Sequence, residues 1–185
     1  MRKVKRFGIK DFDADMIVYD WDIELVIDDT GESRSGYRIF GKKKDDKLCR
    51  EIYIVNDKDY WFVLFPQDGE GKQKRVPLHK LIYAYYCGWR SLDVMEGQNI
   101  HHMNRNKRDN RIENLIALTT KEHLKIHEPE RRIKNPKQEA MTPEEFNEWQ
   151  EESKKILNRA FAIKNNTIKA RGNKVKKFSD IIWED

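Results

Sequence analysis

Cysteine is scarce in this sequence, which has only Cys49 and Cys87 among 185 residues. The two are far apart and form no Cys-x-x-Cys pair, so the sequence excludes a zinc knuckle and a disulfide framework. A chain without disulfides is typical of a reducing compartment, and a cytoplasmic location is therefore the default expectation.

Long apolar runs are also missing. No stretch of about 18 apolar residues occurs, so we expect no transmembrane span and no membrane partner. The first seven residues, Met1-Arg-Lys-Val-Lys-Arg-Phe, have no apolar core of the length that a signal peptide needs.

Charge is plentiful but unevenly placed. The net charge is +5 and the pI is about 9.0, values that are compatible with a polyanionic partner but do not by themselves identify one. Residues 11–33 hold nine acidic side chains and no Lys or Arg, whereas residues 164–177 hold six basic side chains and no acidic one. The second segment can attract a phosphate backbone, although both segments are equally compatible with ordinary solvated surfaces.

The first 75 residues have the alternation and the β-branched and aromatic content of strands. Turn residues separate these runs, and together they predict a small antiparallel β region. The expected strands are residues 16–27, 37–40, 51–55 and 60–65, and the expected connections are residues 42–47 and 67–73.

Helical spacing replaces alternation from residue 77 onward. Residues 77–87 predict a helix with Pro77 in its first turn and Gly88 at its end, and we expect His79 to have a capping or core role rather than to contact DNA. A second helix is predicted from Thr142, since Thr142, Pro143 and Glu145 fit a capping box. The prolines in residues 128–140 instead indicate a linker.

Four of the five histidines fall within residues 100–127. His123 and His127 are four residues apart, so on a helix that Thr119 or Thr120 caps they project from one face and can share a metal ion. His101 is the obvious third ligand. Because neighbouring side chains in a strand point to opposite faces, His102 would then face away from the metal.

A neutral imidazole can accept a proton from water near pH 7, so His102 is a candidate general base for phosphodiester hydrolysis. It needs a partner on its other ring nitrogen, for which a loop amide or a backbone carbonyl would serve. The loop between the histidine pairs contains four asparagines, which can hold a fixed shape, and four cations that can grip phosphates. These residues are Asn104, Asn106, Asn110 and Asn114, with Arg105, Lys107, Arg108 and Arg111.

The string His101-His102-x7-Asn110-x3-Asn114-Leu115, followed by Glu122-His123, resembles the signature of the HNH endonucleases. That family builds its site on a strand-loop-strand-helix unit called the ββα-metal motif. The resemblance implies that His101 and His123 bind the metal, that His102 is the general base, and that Asn114 braces the loop and helps to orient the base. His127 matches a second helical ligand found in the bacterial colicin nucleases.

A weaker likeness to phage and intron-encoded homing endonucleases extends over residues 60–87, where a strand, a basic turn and a His-bearing helix precede the site. It adds Lys74 and Arg75 to the expected DNA-contacting residues. The implied cofactor is one divalent ion (Mg²⁺, Mn²⁺ or Zn²⁺), the implied partner is double-stranded DNA, and the implied setting is the cytoplasm of a bacterial or phage-infected cell. The protein would act as a monomer or homodimer.

The sequence therefore predicts an α+β protein of three parts. Residues 1–75 form the antiparallel β region, residues 76–128 the HNH nuclease core, and residues 129–185 a linker, a helix and a basic DNA-contacting tail. Two alternatives stay open: a non-catalytic module that binds DNA through a zinc-stabilised ββα unit, and a restriction enzyme, for which a homodimer would be expected.

Overall fold

The computed structural model describes residues 6–9, 23–28, 31, 33–43, 48–67, 73–88, 96–135, 137–171 and 183–184. Within these ranges antiparallel strands come first, a strand-and-helix region follows, and then come a long helix and a final two-residue strand. The predicted α+β class is confirmed. The first part of the predicted strand 16–27, residues 16–22, lies outside the described residues, and so does most of the basic tail beyond residue 171.

Seven strands form one antiparallel sheet in which the longest strand occupies the middle. The strands are β1 Arg6–Ile9, β2 Ile23–Asp28, β3 Arg38–Lys43, β4 Leu48–Asp57, β5 Tyr60–Gln67, β6 Gln73–Pro77 and β9 Trp183–Glu184. The longest, β4, pairs with β3, β1 and β5. Beyond these, β6 pairs with β5, β2 with β3, and β9 with β1.

The remaining strands and the helices make up the second half of the chain. Strands β7 (Gln98–His102) and β8 (Leu115–Thr119) form a separate antiparallel pair, with a short 3₁₀ helix at Ile112–Asn114 before β8. The helices are α1 Leu78–Cys87, α2 Thr120–Ile126, α3 Glu128–Lys134 and α4 Pro143–Arg171. The order β7, loop, β8, α2 is the strand-loop-strand-helix order expected from the sequence.

The predicted strands lie at the right positions in the chain, but they are shorter than the observed strands. Alternation identified the centres of β3, β4 and β5, but each strand continues further, and Lys42 and Lys43 belong to β3 rather than to a connection. Strand β6 was missed. Its sequence, QKRVP, has little apolar character, and it forms because β5 offers an edge for it.

One hydrophobic core joins the N-terminal sheet to the second half of the chain. Helix α1 lies between them and buries Leu81 and Ile82 completely, in the same cluster as Val63 of β5, Ile100 of β7 and Leu115 of β8. Each large apolar side chain buried in this way contributes about 1.5–3 kcal/mol. The division at residue 75 stays a prediction, but the sheet and the strands that carry the histidines share one core through α1.

Helix α1 ends where the sequence indicated. Gly88 has φ of +73° and donates its backbone N–H to the carbonyls of Ala84 and Tyr85, which is the left-handed cap that favours glycine. The Arg171 side chain lies so close that a Cβ at position 88 would meet it. The end of α1 is thereby held against the end of α4.

Helix α4 begins with the predicted capping box: Glu145 N–H donates to Thr142 Oγ1 at 3.2 Å, and Thr142 N–H donates to a Glu145 carboxylate oxygen at 2.9 Å. The helix packs on the histidine-bearing strands, with Ala160 buried against Ile116 and Leu118. Lys164, expected in a basic DNA-contacting segment, is instead 2% exposed. Its Nζ donates to the carbonyls of Ile112 and Glu113.

The predicted linker over residues 128–140 was partly wrong, because residues 128–134 form helix α3. Pro129 lies in the first turn, where a missing N–H costs nothing, and acidic residues there are followed by basic residues in the last turn. Among the described residues, no helix is both long enough and apolar enough to cross a membrane.

Candidate functional site

The site is organised by strand β7, whose side chains alternate between two sides of the β7–β8 pair. Ile100 points toward α1 and the N-terminal sheet, where it joins the main core. His102, two residues on, points to the same side, whereas His101 between them points toward α2. Adjacent histidines therefore lie in different environments.

Helix α2 starts immediately after β8 and is fixed at its first residue. Thr119 Oγ1 accepts the backbone N–H of Glu122, and the Glu122 carboxylate accepts the backbone N–H of Thr119, which completes a capping box. Arg159 of α4 pairs with the same carboxylate. His123 follows in the helix, and His127 lies one residue beyond its end, as the C-cap, rather than inside it.

His101, His123 and His127, called here the histidine cluster, come together although β7 and α2 are separate elements. Their ring centroids are 4.7–5.5 Å apart, and one nitrogen of each ring lies within 4.8 Å of the others. His127 Nε2 is 3.2 Å from His101 Nδ1. Three convergent imidazoles are a donor set that suits a divalent metal ion.

The electrostatics around His101 and His123 favour uncharged rings. Burial, followed by the neighbouring His127 and His123, lowers the pKa of His101 to about 4. Burial and His127 also lower the pKa of His123. Neutral imidazoles keep the lone pairs that a metal requires, so His101 and His123 can act as ligands near pH 7.

His102 occupies a second site, called here the His102 pocket, with Asn110, Tyr60 and His79. Its Nε2 lies 3.1 Å from Asn110 Oδ1. The His79 ring meets it edge to face with centroids 5.1 Å apart, and the Tyr60 ring lies at 6.4 Å. Strand β5, helix α1 and the loop after β7 each supply one wall of this pocket.

The hydrogen bonds in the His102 pocket define which ring nitrogen is basic. Asn110 Nδ2 donates to the Arg108 carbonyl at 3.3 Å, so Oδ1 is the atom that faces His102. An amide oxygen only accepts, and His102 Nε2 must therefore carry the ring proton. His102 Nδ1 is left with a free lone pair, as a general base requires.

His102 is only 6% exposed, less than a freely accessible base would be. Burial lowers its pKa, while the bond to Asn110 opposes that shift. Among the described residues, the buried side-chain nitrogens and oxygens without a partner are His79 Nδ1 and Ser153 Oγ.

Asn114 was predicted to brace the loop and to help orient the base. Its side chain bonds the loop backbone directly, but the hydrogen-bond partner of His102 is a different residue. Its Oδ1 accepts the Asn104 N–H at 2.9 Å, and its Nδ2 donates to the Asp109 carbonyl at 2.8 Å. The direct partner of His102 is Asn110, whose backbone carbonyl accepts the Tyr37 hydroxyl. Asn114 thus holds the chain next to the residue that orients the base.

The loop itself is built from short side-chain-to-backbone bonds. Asn104 Oδ1 accepts the Asn106 N–H, and Asn106 Oδ1 accepts the Arg108 N–H. Asp109 accepts from Arg111, which lowers the pKa of Asp109 to about 2. Arg105 has φ of +60°, a left-handed conformation that such a tightly bonded loop can impose.

The predicted DNA-contacting cations whose side chains are described are exposed, and they form ion pairs or hydrogen bonds within the protein. Surface ion pairs contribute about 0–1 kcal/mol, so exchanging one for a phosphate costs little. Arg105 pairs with Glu130, Lys107 with Asp59, Arg111 with Asp109 and Arg75 with Asp57, while Arg108 donates to the Lys58 carbonyl. Lys74 lies in β6, and its side chain is outside the described part of the chain.

Three residues near the site were not identified from the sequence. Tyr60 is the first residue of β5 and Tyr37 directly precedes β3, and no local pattern connects them to His102. Glu130 accepts a hydrogen bond from His127 Nδ1 at 2.5 Å. The charge pattern of residues 128–134, acidic first and basic last, was the signal that could have placed Glu130 on a helix.

Comparison with known proteins agrees with the sequence motif. Residues 76–125, about a quarter of the chain, match the family model described as HNH endonuclease. The matched segment runs from the end of β6 through α1, β7 and β8 into α2. Searches of curated proteins and of solved structures gave no match of comparable significance.

Proposed function

We propose, on the premise that residues 76–125 are an HNH endonuclease segment, that this protein hydrolyses phosphodiester bonds of double-stranded DNA with one divalent metal ion. The observation that carries the proposal is the pairing of two sites across one strand. A three-imidazole cluster lies on one side of β7, and a neutral histidine with a defined basic nitrogen lies on the other.

In this mechanism His102 Nδ1 accepts the proton of the attacking water. The positive charge that forms on the ring is stabilised by Asn110 Oδ1, which accepts the Nε2 proton. Because the amide of Asn110 is itself held by the Arg108 carbonyl, the ring needs no reorientation as it becomes charged.

His101, His123 and His127 would hold the ion, and their convergent ring nitrogens fit it. A bound divalent ion supplies Lewis-acid stabilisation of negative charge on the phosphate and the departing 3′ oxygen. Three imidazole nitrogens suit zinc or nickel better than magnesium, which prefers oxygen ligands. We therefore expect tighter binding of Zn²⁺ or Ni²⁺ than of Mg²⁺ in the absence of DNA.

The cationic loop would position the DNA. Arg105, Lys107, Arg108 and Arg111 follow β7 directly, and the contacts that they make inside the protein keep them next to both sites. Contacts of this kind are made with phosphates and carry no sequence information. The proposal therefore concerns cleavage chemistry and leaves the recognition sequence open.

The test is a supercoiled plasmid incubated with the purified protein and Zn²⁺, Ni²⁺, Mn²⁺ or Mg²⁺, with nicked and linear products resolved on a gel. We expect cleavage with at least one ion and none in the presence of a chelator. Absence of cleavage with every ion, across DNA from several sources, would contradict the proposal.

A second candidate is the non-catalytic, zinc-stabilised DNA-binding module. The small exposed fraction of His102 is the observation that favours it, because a purely structural histidine needs no access to water. That alternative predicts tight zinc binding and DNA binding without cleavage, and His102→Ala would then change stability rather than a reaction rate.

A further inference from the structure

Helix α3 starts directly after the last residue of the histidine cluster and carries a carboxylate back toward it. Glu130 lies in the first turn of α3, three residues after His127. One of its oxygens, Oε2, is 2.5 Å from His127 Nδ1, and the other, Oε1, pairs with Arg105. A single side chain thus contacts both the histidine cluster and the cationic loop.

The contact with His127 defines the direction of that ring. An ionised carboxylate only accepts hydrogen bonds, so His127 Nδ1 must carry the ring proton. His127 Nε2 is then the nitrogen with the lone pair, and it is also the nitrogen that lies 3.2 Å from His101 Nδ1. The tautomer that Glu130 selects is therefore the one that presents a donor atom to the cluster.

His127 is the member of the cluster that most needs such support. His101 is held in the β7–β8 ladder and His123 lies inside α2, whereas His127 is the cap residue at the junction of α2 and α3. Among the described residues, it is the one cluster histidine whose second ring nitrogen meets a carboxylate. Metal-binding histidines commonly donate their other N–H to a carboxylate in this way.

The contact with Arg105 extends the arrangement to the substrate side. Arg105 is held in a left-handed backbone conformation, and its side chain is about half exposed. Since Glu130 touches both Arg105 and His127, it keeps a guanidinium, a group that can bind phosphate, beside the cluster.

We propose that Glu130 is a positioning residue of the metal centre, which fixes His127 with Nε2 toward the other two imidazoles and holds Arg105 beside the cluster. The inference rests on the metal centre of the proposed function and names a residue outside the 76–125 segment. The competing explanation is that Glu130 only stabilises the first turn of α3 as a surface ion pair.

The test measures zinc affinity directly, by calorimetry with a competing chelator, in the full-length protein. Loss of a carboxylate behind a ligating histidine typically weakens metal binding about 10-fold to 100-fold. We expect a loss of this size for Glu130→Ala and a smaller one for Glu130→Gln, whose amide oxygen still accepts from His127. Glu151→Gln, an exposed carboxylate of α4, is the matched control and should bind zinc as the wild type does.

A double-mutant cycle separates positioning from folding. In a His127→Ala background, Glu130→Gln should cause no further loss of zinc affinity, because the ring that it orients is gone. Equal zinc affinities for the wild type and Glu130→Ala, with only the melting temperature lowered, would overturn the inference. So would the same loss from Glu130→Gln with and without His127.

The outcomes also separate this inference from the proposed function. A wild-type protein that binds zinc but never cuts DNA contradicts the nuclease, yet the Glu130 effect on zinc affinity would still support the positioning role. A wild-type protein that cuts DNA, with Glu130→Ala binding zinc normally, supports the nuclease and overturns the role of Glu130.

Discussion

The two sides of strand β7 are assembled in different ways, although they begin at adjacent residues. The histidine cluster comes entirely from residues 101–127, in the β7–β8 pair and at α2, and its proposed support, Glu130, lies three residues beyond His127. The His102 pocket draws Tyr60 from β5 and His79 from α1, and Tyr37 reaches across 73 positions to hold Asn110. The candidate metal site is thus local in the chain, whereas the geometry of the proposed base depends on the N-terminal sheet.

This difference gives a general expectation for mutagenesis. Changes in the His102 pocket should reduce cleavage and leave zinc affinity nearly intact, and changes in the histidine cluster should reduce both. The N-terminal sheet, whose role the sequence did not reveal, would then be needed for the reaction rather than for the metal.

The largest expected effect is that of His102→Ala. Removing a general base costs about 10²–10⁴-fold in rate, so we expect plasmid cleavage to fall by about 10³-fold. Zinc affinity should stay within about twofold of the wild type, since the ring points away from the cluster.

His101→Ala is the matched control on the same strand and should lower zinc affinity and cleavage together. The comparison fails if His102→Ala cuts DNA at the wild-type rate, or if it loses zinc as His101→Ala does.

The next largest effect concerns Lys164, which supports the backbone just before Asn114. Its Nζ donates to the carbonyls of Ile112 at 2.9 Å and Glu113 at 3.1 Å, and burial lowers its pKa. Lys164→Met keeps most of the side-chain volume but leaves both carbonyls without this donor, which should cost about 3 kcal/mol in unfolding free energy.

Urea denaturation of Lys164→Met is the measurement, and Lys155→Met, an exposed lysine on the same helix, is the control. We expect cleavage to fall more than zinc affinity, because Ile112 and Glu113 lead to the bonds that hold Asn110. Equal unfolding free energies for the two variants would show that Lys164 does not stabilise the fold.

The histidine cluster could be predicted from the sequence because its determinants are close together. Residues 101–127 contain all of them: the spacing of His123 and His127, the cap at Thr119, and the alternation of His101 and His102. The sequence left the partner of His102 open between a loop amide and a backbone carbonyl, and the resemblance assigned Asn114 to orienting the base. The folded loop instead places Asn110 against the ring.

The other features of the fold and of the site could not be predicted from the sequence because they depend on contacts between distant parts of the chain. Strand β6 forms on the edge of β5, Tyr60 reaches His102 across 42 positions, and Lys164 is buried only because α4 packs on β8. Glu130 was missed for a different reason: two prolines suggested a linker, although Pro129 occupies a position that suits the start of a helix.

A smaller effect is expected for Asn110→Ala, which tests whether the partner of His102 matters as much as His102 itself. Without Oδ1 the ring is free to rotate and to adopt either neutral tautomer, so we expect cleavage to fall about 10-fold to 100-fold. Zinc affinity should not change.

Asn106→Ala is the control for Asn110→Ala, because Asn106 also bonds the loop backbone but does not touch His102. If both variants lose the same activity, the loop as a whole, and not the bond to His102, explains the loss.

The smallest expected effect concerns His79, the wall of the His102 pocket that carries a buried nitrogen without a partner. Burial, with smaller contributions from His102 and Lys80, lowers the pKa of His79 to about 3. In the unfolded chain this residue binds a proton near its ordinary pKa of 6.5, and the folded protein does not bind one until the pH is far lower. Stability from this residue is therefore complete above about pH 6.5 and is lost as the pH falls toward 3, by about 1.4 kcal/mol per pH unit.

His79→Phe keeps a ring against His102 and removes this titration. Urea denaturation at about pH 7 and about pH 5 should show that the wild type loses about 2 kcal/mol more unfolding free energy than the variant, since all other titrating groups are common to both. Parallel losses would mean that the folded protein protonates His79 without cost. If cleavage by His79→Phe also stays near the wild-type level, His79 contributes to the His102 pocket by its shape, and the polar contacts of the base are confined to Asn110.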